Sequence, residues 1–303
     1  MEVIKITDMV GSLQDNYVAV MGELDGVHIG HQELLKKISD FKKRYNGAIK
    51  SAVITFDPHP DIILNKCDKY ECITPLKEKL KILESYGIDS VFIIKFDDNF
   101  ATISPESFVE EYLNKLNIKI IVVGPDFKFG NKGLGNADTL RKLGIQVEIV
   151  EELQLEKKKI GSFMIKNKIK DGNIEEVTEL LGRPYQIIGK VCAGRQVGRT
   201  IGFPTANVAL YEPYVIPKRG VYVVDVIINN CKYRGVCNIG HNPTINYNDN
   251  TTIEVNILDF KDNVYGKIIK VMFLKYVRDE KKFITKEALI KQIEADANLA
   301  RGY

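Results

Sequence analysis

Between Tyr17 and Val150 short apolar runs alternate with amphipathic segments, and this alternation constrains the fold more than any other feature of the chain. Tyr17–Met21, Ser51–Phe56, Ser90–Phe96, Lys119–Val123 and Gln146–Val150 are rich in β-branched residues and read as strands. Gln32–Tyr45, Leu76–Tyr86, Pro105–Leu116 and Asp138–Leu143 lie between them with helical patterning. Strand–helix alternation predicts an α/β domain built on a doubly wound parallel sheet, whose ligands sit at the carboxyl ends of the strands. That rule directs attention to Gly22–His31, Asp57–Pro60 and Gly124–Gly130, which follow the first, second and fourth runs.

The pattern changes after the helix-like stretch Lys166–Leu181, which ends on Gly182-Arg183-Pro184, a helix stop followed by a residue that cannot continue it. A boundary there gives domains of residues 1–182 and 183–303, and a chain of 303 residues suits two domains at roughly 100–200 residues each. Beyond it, Gln186–Val191, Gly220–Ile228, Cys231–Cys237, Thr252–Leu258 and Lys267–Val277 read as strands, followed by one amphipathic helix at Lys286–Ala300. A small β-barrel closed by a terminal helix is the expectation, with Asn242–Asn250 as a surface loop.

Lys and Arg total 43 against 40 Asp and Glu, and a formal charge of +3 is too small for a dedicated nucleic-acid binder. No apolar run approaches the roughly 20 residues that cross a bilayer, so no membrane partner is expected. Met1–Val10 lacks a basic segment followed by an apolar one, which makes the cytoplasm the expected location. Cys67, Cys72, Cys192, Cys231 and Cys237 have no CxxC spacing and fit reduced thiols.

The first strand runs straight into Gly22-Glu-Leu-Asp-Gly-Val-His-Ile-Gly-His-Gln32, where a helix begins. A helix N-terminus presents unpaired N–H groups and partial positive charge, so a turn entering one is an anion site. Gly26 and Gly30 would let backbone approach a phosphate, and His28 and His31 could face it. By themselves the two histidines are as readily helix-start residues with no ligand.

The string from Asp25 to Gln32 resembles the HxGH nucleotidyltransferases, and more closely the FMN adenylyltransferase domain of bacterial bifunctional riboflavin kinase/FAD synthetase. Thr55-Phe-Asp-Pro-His-Pro60 and Gly124-Pro-Asp-Phe-Lys-Phe-Gly130 are similar to further motifs of that domain. The resemblance implies that His28 and His31 stabilise charge while an α-phosphate is attacked and pyrophosphate departs. It also implies that Gly22, Asp25, Gly26, Gly30, Ser162 and Lys166 bind ATP phosphates, and that Asp57, His59 and Asp126 bind flavin. The chain departs from the family at Leu24, where Phe is usual, and across Ile160–Lys166, where hydroxyls and a final Arg are usual. Gly161 and Phe163 remove hydroxyls, and Lys166 offers a point charge in place of a planar fork.

A second constellation, Gly194–Asn207, places glycines at 194, 198 and 202 beside Arg195 and Arg199. Such a loop can curl around phosphates or form a long hairpin, and it lacks the Gly-Lys-Ser/Thr ending of a P-loop. Gly198-Arg-Thr-Ile-Gly-Phe-Pro-Thr-Ala-Asn207 resembles the most specific motif of the riboflavin kinase domain. The resemblance implies that Thr205 and Asn207 hold the Mg²⁺ that bridges ATP phosphates, with Gly194, Gly198, Arg199 and Gly202 binding those phosphates. In Thr252–Phe260, Ile253, Val255 and Ile257 mark one face while Glu254 and Asn256 point to the other. By alternation alone Glu254 is a solvated strand carboxylate; similarity to the family's Glu-x-x-Leu-Leu-Asp-Phe motif implies that it is the catalytic base. Arg278, Asp296 and Arg301 match positions that enclose the flavin.

The resemblance runs from about Val18 to Arg301 and implies an enzyme that phosphorylates riboflavin with MgATP and adenylylates the product. Riboflavin, FMN, FAD and ATP would be its substrates and products. The alternatives are a kinase with a degenerate adenylyltransferase domain, motivated by Gly161, Phe163 and Lys166, and a flavin-binding protein without turnover.

Overall fold

The structure, a computed structural model, describes residues 1–7, 11–64, 70–155, 158–192, 202–241 and 251–303. It divides into two compact units, Met1–Tyr70 with Thr74–Ser162, and Glu71–Ile73 with Phe163–Tyr303.

The first unit carries the expected parallel sheet. Its strands are β1 (Glu2–Ile6), β2 (Tyr17–Met21), β3 (Lys50–Asp57), β4 (Ser90–Lys95), β5 (Ile118–Val123) and β6 (Gln146–Ile149). They lie in the order β1-β4-β3-β2-β5-β6 with every neighbouring pair parallel. The chain builds outward from β2 through β3 and β4, then returns to add β5 and β6 on the other side. The strand order therefore reverses at β2, where ligands of such sheets bind. The helices are α1 (Ile29–Arg44), α2 (Pro60–Ile63), α3 (Leu76–Ser85), α4 (Asp98–Ala101), α5 (Pro105–Phe108) and α6 (Ala137–Lys142). A π-helical turn, Val109–Leu113, extends α5, and β7 (Gln154–Leu155) and β8 (Lys158–Lys159) form a short antiparallel pair.

Continuous apolar runs are needed because both faces of the sheet are covered. Tyr17, Ala19 and Met21 of β2 enter one core with Ile54 and Phe92. Val18 and Val20 enter the other with Leu35, Ile38 and Phe41 of α1. The last turn of α1 carries Lys42, Lys43 and Arg44, which complement its negative end.

In the second unit α7 (Ser162–Asp171, joined from Phe163 onward) and α8 (Ile174–Leu181) precede a closed barrel. The single helix expected over Lys166–Leu181 is two, parted at Gly172, whose φ of 82° ends a helical run. The barrel strands are β9 (Tyr185–Cys192), β10 (Ala206–Leu210), β11 (Gly220–Ile228), β12 (Cys231–His241), β13 (Thr251–Ile257) and β14 (Ile268–Arg278). They close in the order β10-β13-β12-β11-β14-β9, all antiparallel. Tyr185, Ile187, Gly189 and Val191 alternate inward along β9. Strand β11 is almost wholly buried because α9 (Lys286–Gly302) covers it, packing Ala297 and Ala300 on Val223.

Phe92 is fully buried and meets Tyr17 edge-on at 5.2 Å between ring centroids. Phe92→Ala is expected to destabilise the protein by about 3–5 kcal/mol, measured by denaturant unfolding followed by circular dichroism.

Candidate active sites

The turn from β2 into α1 is held from several directions. Leu24, Gly26 and Val27 have φ of 49°, 84° and 40°, and a β-branched residue keeps a positive φ only where its surroundings impose it. The Asp25 carboxylate accepts the N–H of Thr74 at 3.0 Å, and its carbonyl accepts the hydroxyl of Ser162 at 2.8 Å. Gln32 Nε2 donates to the Val27 carbonyl at 2.9 Å, while Leu24 and Val27 bury their side chains against α1. The N-terminus of α1 thus starts where the central strand ends, with its N–H groups at a fixed place.

His28 is buried and caps α1, its Nδ1 accepting the N–H of His31 at 3.4 Å. The proton of a neutral His28 ring therefore sits on Nε2. The two imidazoles stack with centroids 3.6 Å apart and planes at 21°. A Cβ on Gly30 would lie 3.2 Å from His28 Cε1 and Nδ1, so glycine leaves room for that ring. Burial holds the His31 pKa well below the ordinary value, and the charges of His28, Lys79 and Lys159 push it the same way. His31 Nδ1 is buried without a hydrogen-bond partner among the described residues. An orphaned imidazole nitrogen among ammonium groups is a place that an anionic ligand would complete.

Gly22 donates its N–H to Ile54 at 3.0 Å and lines an aromatic cleft of ≈ 360 Å³ beyond β2 and β3. Phe56, Phe96, Phe100, Phe108, Phe127 and Phe129 wall it. Asp57, His59 and Asp126 do not line this cleft. Asp57 ends β3 exposed, His59 caps α2 by accepting the Asp61 N–H at 3.1 Å, and Asp126 is exposed and paired with Lys159. Lys166 belongs to the second unit and donates to the Glu71 carbonyl at 2.6 Å. Sequence reasoning missed the phenylalanine cleft, whose members are spread over 74 positions between Phe56 and Phe129. It also missed Lys79, a buried lysine in a stretch that reads as a solvated helix face.

The barrel aligns polar residues across four strands. Asn207 stands opposite Glu254, Glu254 opposite Asn238, Asn238 opposite Val221, and Val221 opposite Arg278. Directly opposed residues share a face, and Asn238, Glu254 and Arg278 line a cleft of ≈ 280 Å³ with Thr205, Phe283 and Asp296. Arg278 grips Asp296 with both ends of its fork, Nε to Oδ1 at 3.1 Å and Nη2 to Oδ2 at 2.6 Å. Gln292 adds a bond to Oδ1 at 2.9 Å, so α9 is tied to β14. Arg301 is exposed, reaches Asp259 at 3.3 Å and does not line the cleft. A second cleft of ≈ 510 Å³ is lined by Pro204, Thr205, Ala206 and the segment Phe260–Tyr265. Thr205 belongs to both clefts, and Asn256 Nδ2 fixes the segment before it by donating to the Pro204 carbonyl at 2.8 Å. Gly202 has φ 87°, whereas Gly194, Gly198 and Arg199 lie outside the described residues.

Comparison with known proteins agrees with this division. Residues 11–164 match the FAD synthetase family model and residues 181–303 the riboflavin kinase model. A relative from Bacillus subtilis, named bifunctional riboflavin kinase/FMN adenylyltransferase, is 40% identical over 302 residues, covering 96% of this chain and 93% of its own. A relative of the same name from Listeria monocytogenes is 37% identical, covering 95% and 92%. A crystal structure from Streptococcus pneumoniae, described as a macrolide-efflux protein, superposes with a TM-score of 0.90 at 34% identity over 99% of both chains. Among the described residues of this chain no helix is long and apolar enough to cross a membrane. The class is thus an FAD-synthetase-type α/β unit joined to a riboflavin-kinase-type barrel. The chain belongs to the bifunctional riboflavin kinase/FMN adenylyltransferase family.

The depressed His31 pKa makes a direct prediction. In the ligand-free protein the His31 ring stays neutral at pH 6, observed as a Cε1–H proton resonance that does not shift between pH 7.5 and about 6, where an ordinary histidine titrates. Because the unfolded chain binds this proton and the folded one does not, stability is lost as the pH falls below about 6.5.

Proposed function

We propose that the barrel phosphorylates riboflavin with ATP and that the α/β domain adenylylates the resulting FMN to FAD, releasing pyrophosphate. The observation that carries the kinase reading is that Thr205 borders two clefts while Glu254 lines the more apolar one. A flavin in the apolar cleft and a nucleotide in the other would then meet beside Glu254. Its carboxylate accepts the proton of the ribityl 5′-hydroxyl as that oxygen attacks the γ-phosphorus and ADP leaves. Arg278 and Asp296, locked to each other, hold α9 as one wall of the flavin cleft. Thr205 and Asn207 would hold Mg²⁺, since a hydroxyl and an amide oxygen with Glu254 opposite form an oxygen-only set of the kind this ion prefers. When bound, the ion supplies positive charge to the ATP phosphates.

In the first domain the aromatic cleft suits a planar flavin ring, and the α1 N-terminus suits phosphate. An FMN phosphate oxygen attacks the α-phosphorus of ATP. His28 Nε2–H and His31 stabilise the charge that develops as pyrophosphate leaves, and the arriving phosphates raise the pKa of His31 toward its charged form. Ser162 acts by fixing Asp25. The functional boundary of this reading falls between residues 182 and 183, next to the start of the riboflavin kinase model at 181, although residues 163–182 pack with the barrel unit. The cytoplasm as workplace is supported by Cys72, Cys192, Cys231 and Cys237, all free thiols.

Two incubations test this reading, riboflavin with MgATP and FMN with MgATP, each resolved by chromatography. FAD from both is expected; no conversion in either would reject the proposal. Glu254→Gln should slow FMN formation about 100-fold or more while FAD still forms from supplied FMN. His28→Ala should do the reverse, with a loss of about 100-fold or more in FAD formation.

A further inference from the structure

Glu23, at the carboxyl end of β2, takes no part in the chemistry assigned above, yet its surroundings are unusual. Its Oε2 lies 3.6 Å from Lys79 Nζ and 3.9 Å from His59 Nε2, both beyond hydrogen-bond length. Oε1 is buried with no hydrogen-bond partner among the described residues. Lys79 Nζ is committed to other oxygens, the Glu23 main-chain carbonyl and Thr55 Oγ1. Asp25 on the same turn and Asp61 on α2 add negative charge. Burial is the main reason that the Glu23 pKa is pushed up to about 7; Lys79 opposes the rise, and Asp25 and Asp61 reinforce it. The ammonium of Lys79 acts on His31 as well, so the carboxyl and the histidine share one cation.

We propose that Glu23 is a proton-operated gate on the nucleotide seat of the first domain, open as the neutral acid and closed as the carboxylate. The carboxylate draws Lys79 and His59 to itself and repels phosphate, whereas the acid leaves Lys79 and the α1 N-terminus to the triphosphate. Above neutral pH, nucleotide binding takes a proton from solvent onto Glu23, and nucleotide release returns it. The gate rests on the adenylyltransferase reading and adds regulation to it.

FAD formation from supplied FMN is measured with the full chain and with Glu23→Gln between pH 6 and 8.5, varying MgATP; FMN formation from riboflavin by the same samples is the internal comparison. Glutamine keeps the side-chain shape and removes the charge. The apparent KM for ATP of the parent should rise about tenfold between pH 6 and 8, and Glu23→Gln should flatten that rise, with coincident kinase profiles for the two proteins. Parallel rises would overturn the gate and leave the adenylyltransferase reading standing. No FAD from the parent at any pH would overturn that reading and the gate together. Thermal unfolding gives a second measurement without turnover. A carboxyl raised from 4.5 to about 7 in the folded state makes the protein lose stability as the pH climbs through that interval. The midpoint of Glu23→Gln should therefore gain on the parent between pH 5 and 7 and keep the gain above it; a constant difference would overturn the gate.

Discussion

Asp25 joins three stretches that are distant in sequence: its own turn, Thr74 ahead of α3, and Ser162 at the start of α7. Without such a tether the turn would not keep its shape, because Leu24, Gly26 and Val27 all occupy left-handed backbone. Glycine adopts such backbone without strain, but Leu24 and Val27 cost roughly 1–3 kcal/mol each there. Hydrogen bonds of about 0.5–1.5 kcal/mol apiece, together with the burial of Leu24 and Val27, offset the cost. The start of α1 inherits the constraint. The cap by His28, the stacking of His31 on it and the close approach allowed by Gly30 are all consequences of where this turn ends.

The barrel solves its problem differently. Its polar residues need no strained turn, because antiparallel register alone brings Asn207, Glu254 and Asn238 into one row on three neighbouring strands. Precision there comes from hydrogen-bonded ladders, and mobility is restrained at the rim, where Asn256 fixes Pro204 and Arg278 fixes Asp296. A bidentate pair partly shielded from water is both stronger and more directional than an exposed one.

Much of this was legible in the sequence, for physical reasons that differ by element. Strands β2 and β11 have the bounds expected of them, since sheets covered on both faces demand unbroken apolar runs. Strand β1 went unread because it is an edge strand whose alternating charged and apolar residues carry a weak signal, and β10 because five residues after a proline give little pattern. The turn holding His28 and His31 could be read because its glycines and histidines are contiguous. The phenylalanine cleft could not, since only the folding of β3, α4, α5 and the segment after β5 brings Phe56, Phe100, Phe108 and Phe127 together. Lys79 was hidden because its burial depends on the oxygen atoms of Glu23 and Thr55, which no periodicity reports.

A single side chain bordering both clefts of the barrel has a thermodynamic corollary. Whatever one occupant does to the position of Thr205, the other must respond to, and linkage requires the effect on affinity to be equal in both directions. Under the proposed occupancy, with flavin in one cleft and nucleotide in the other, any change that one ligand makes in the affinity of the other is returned by the same factor.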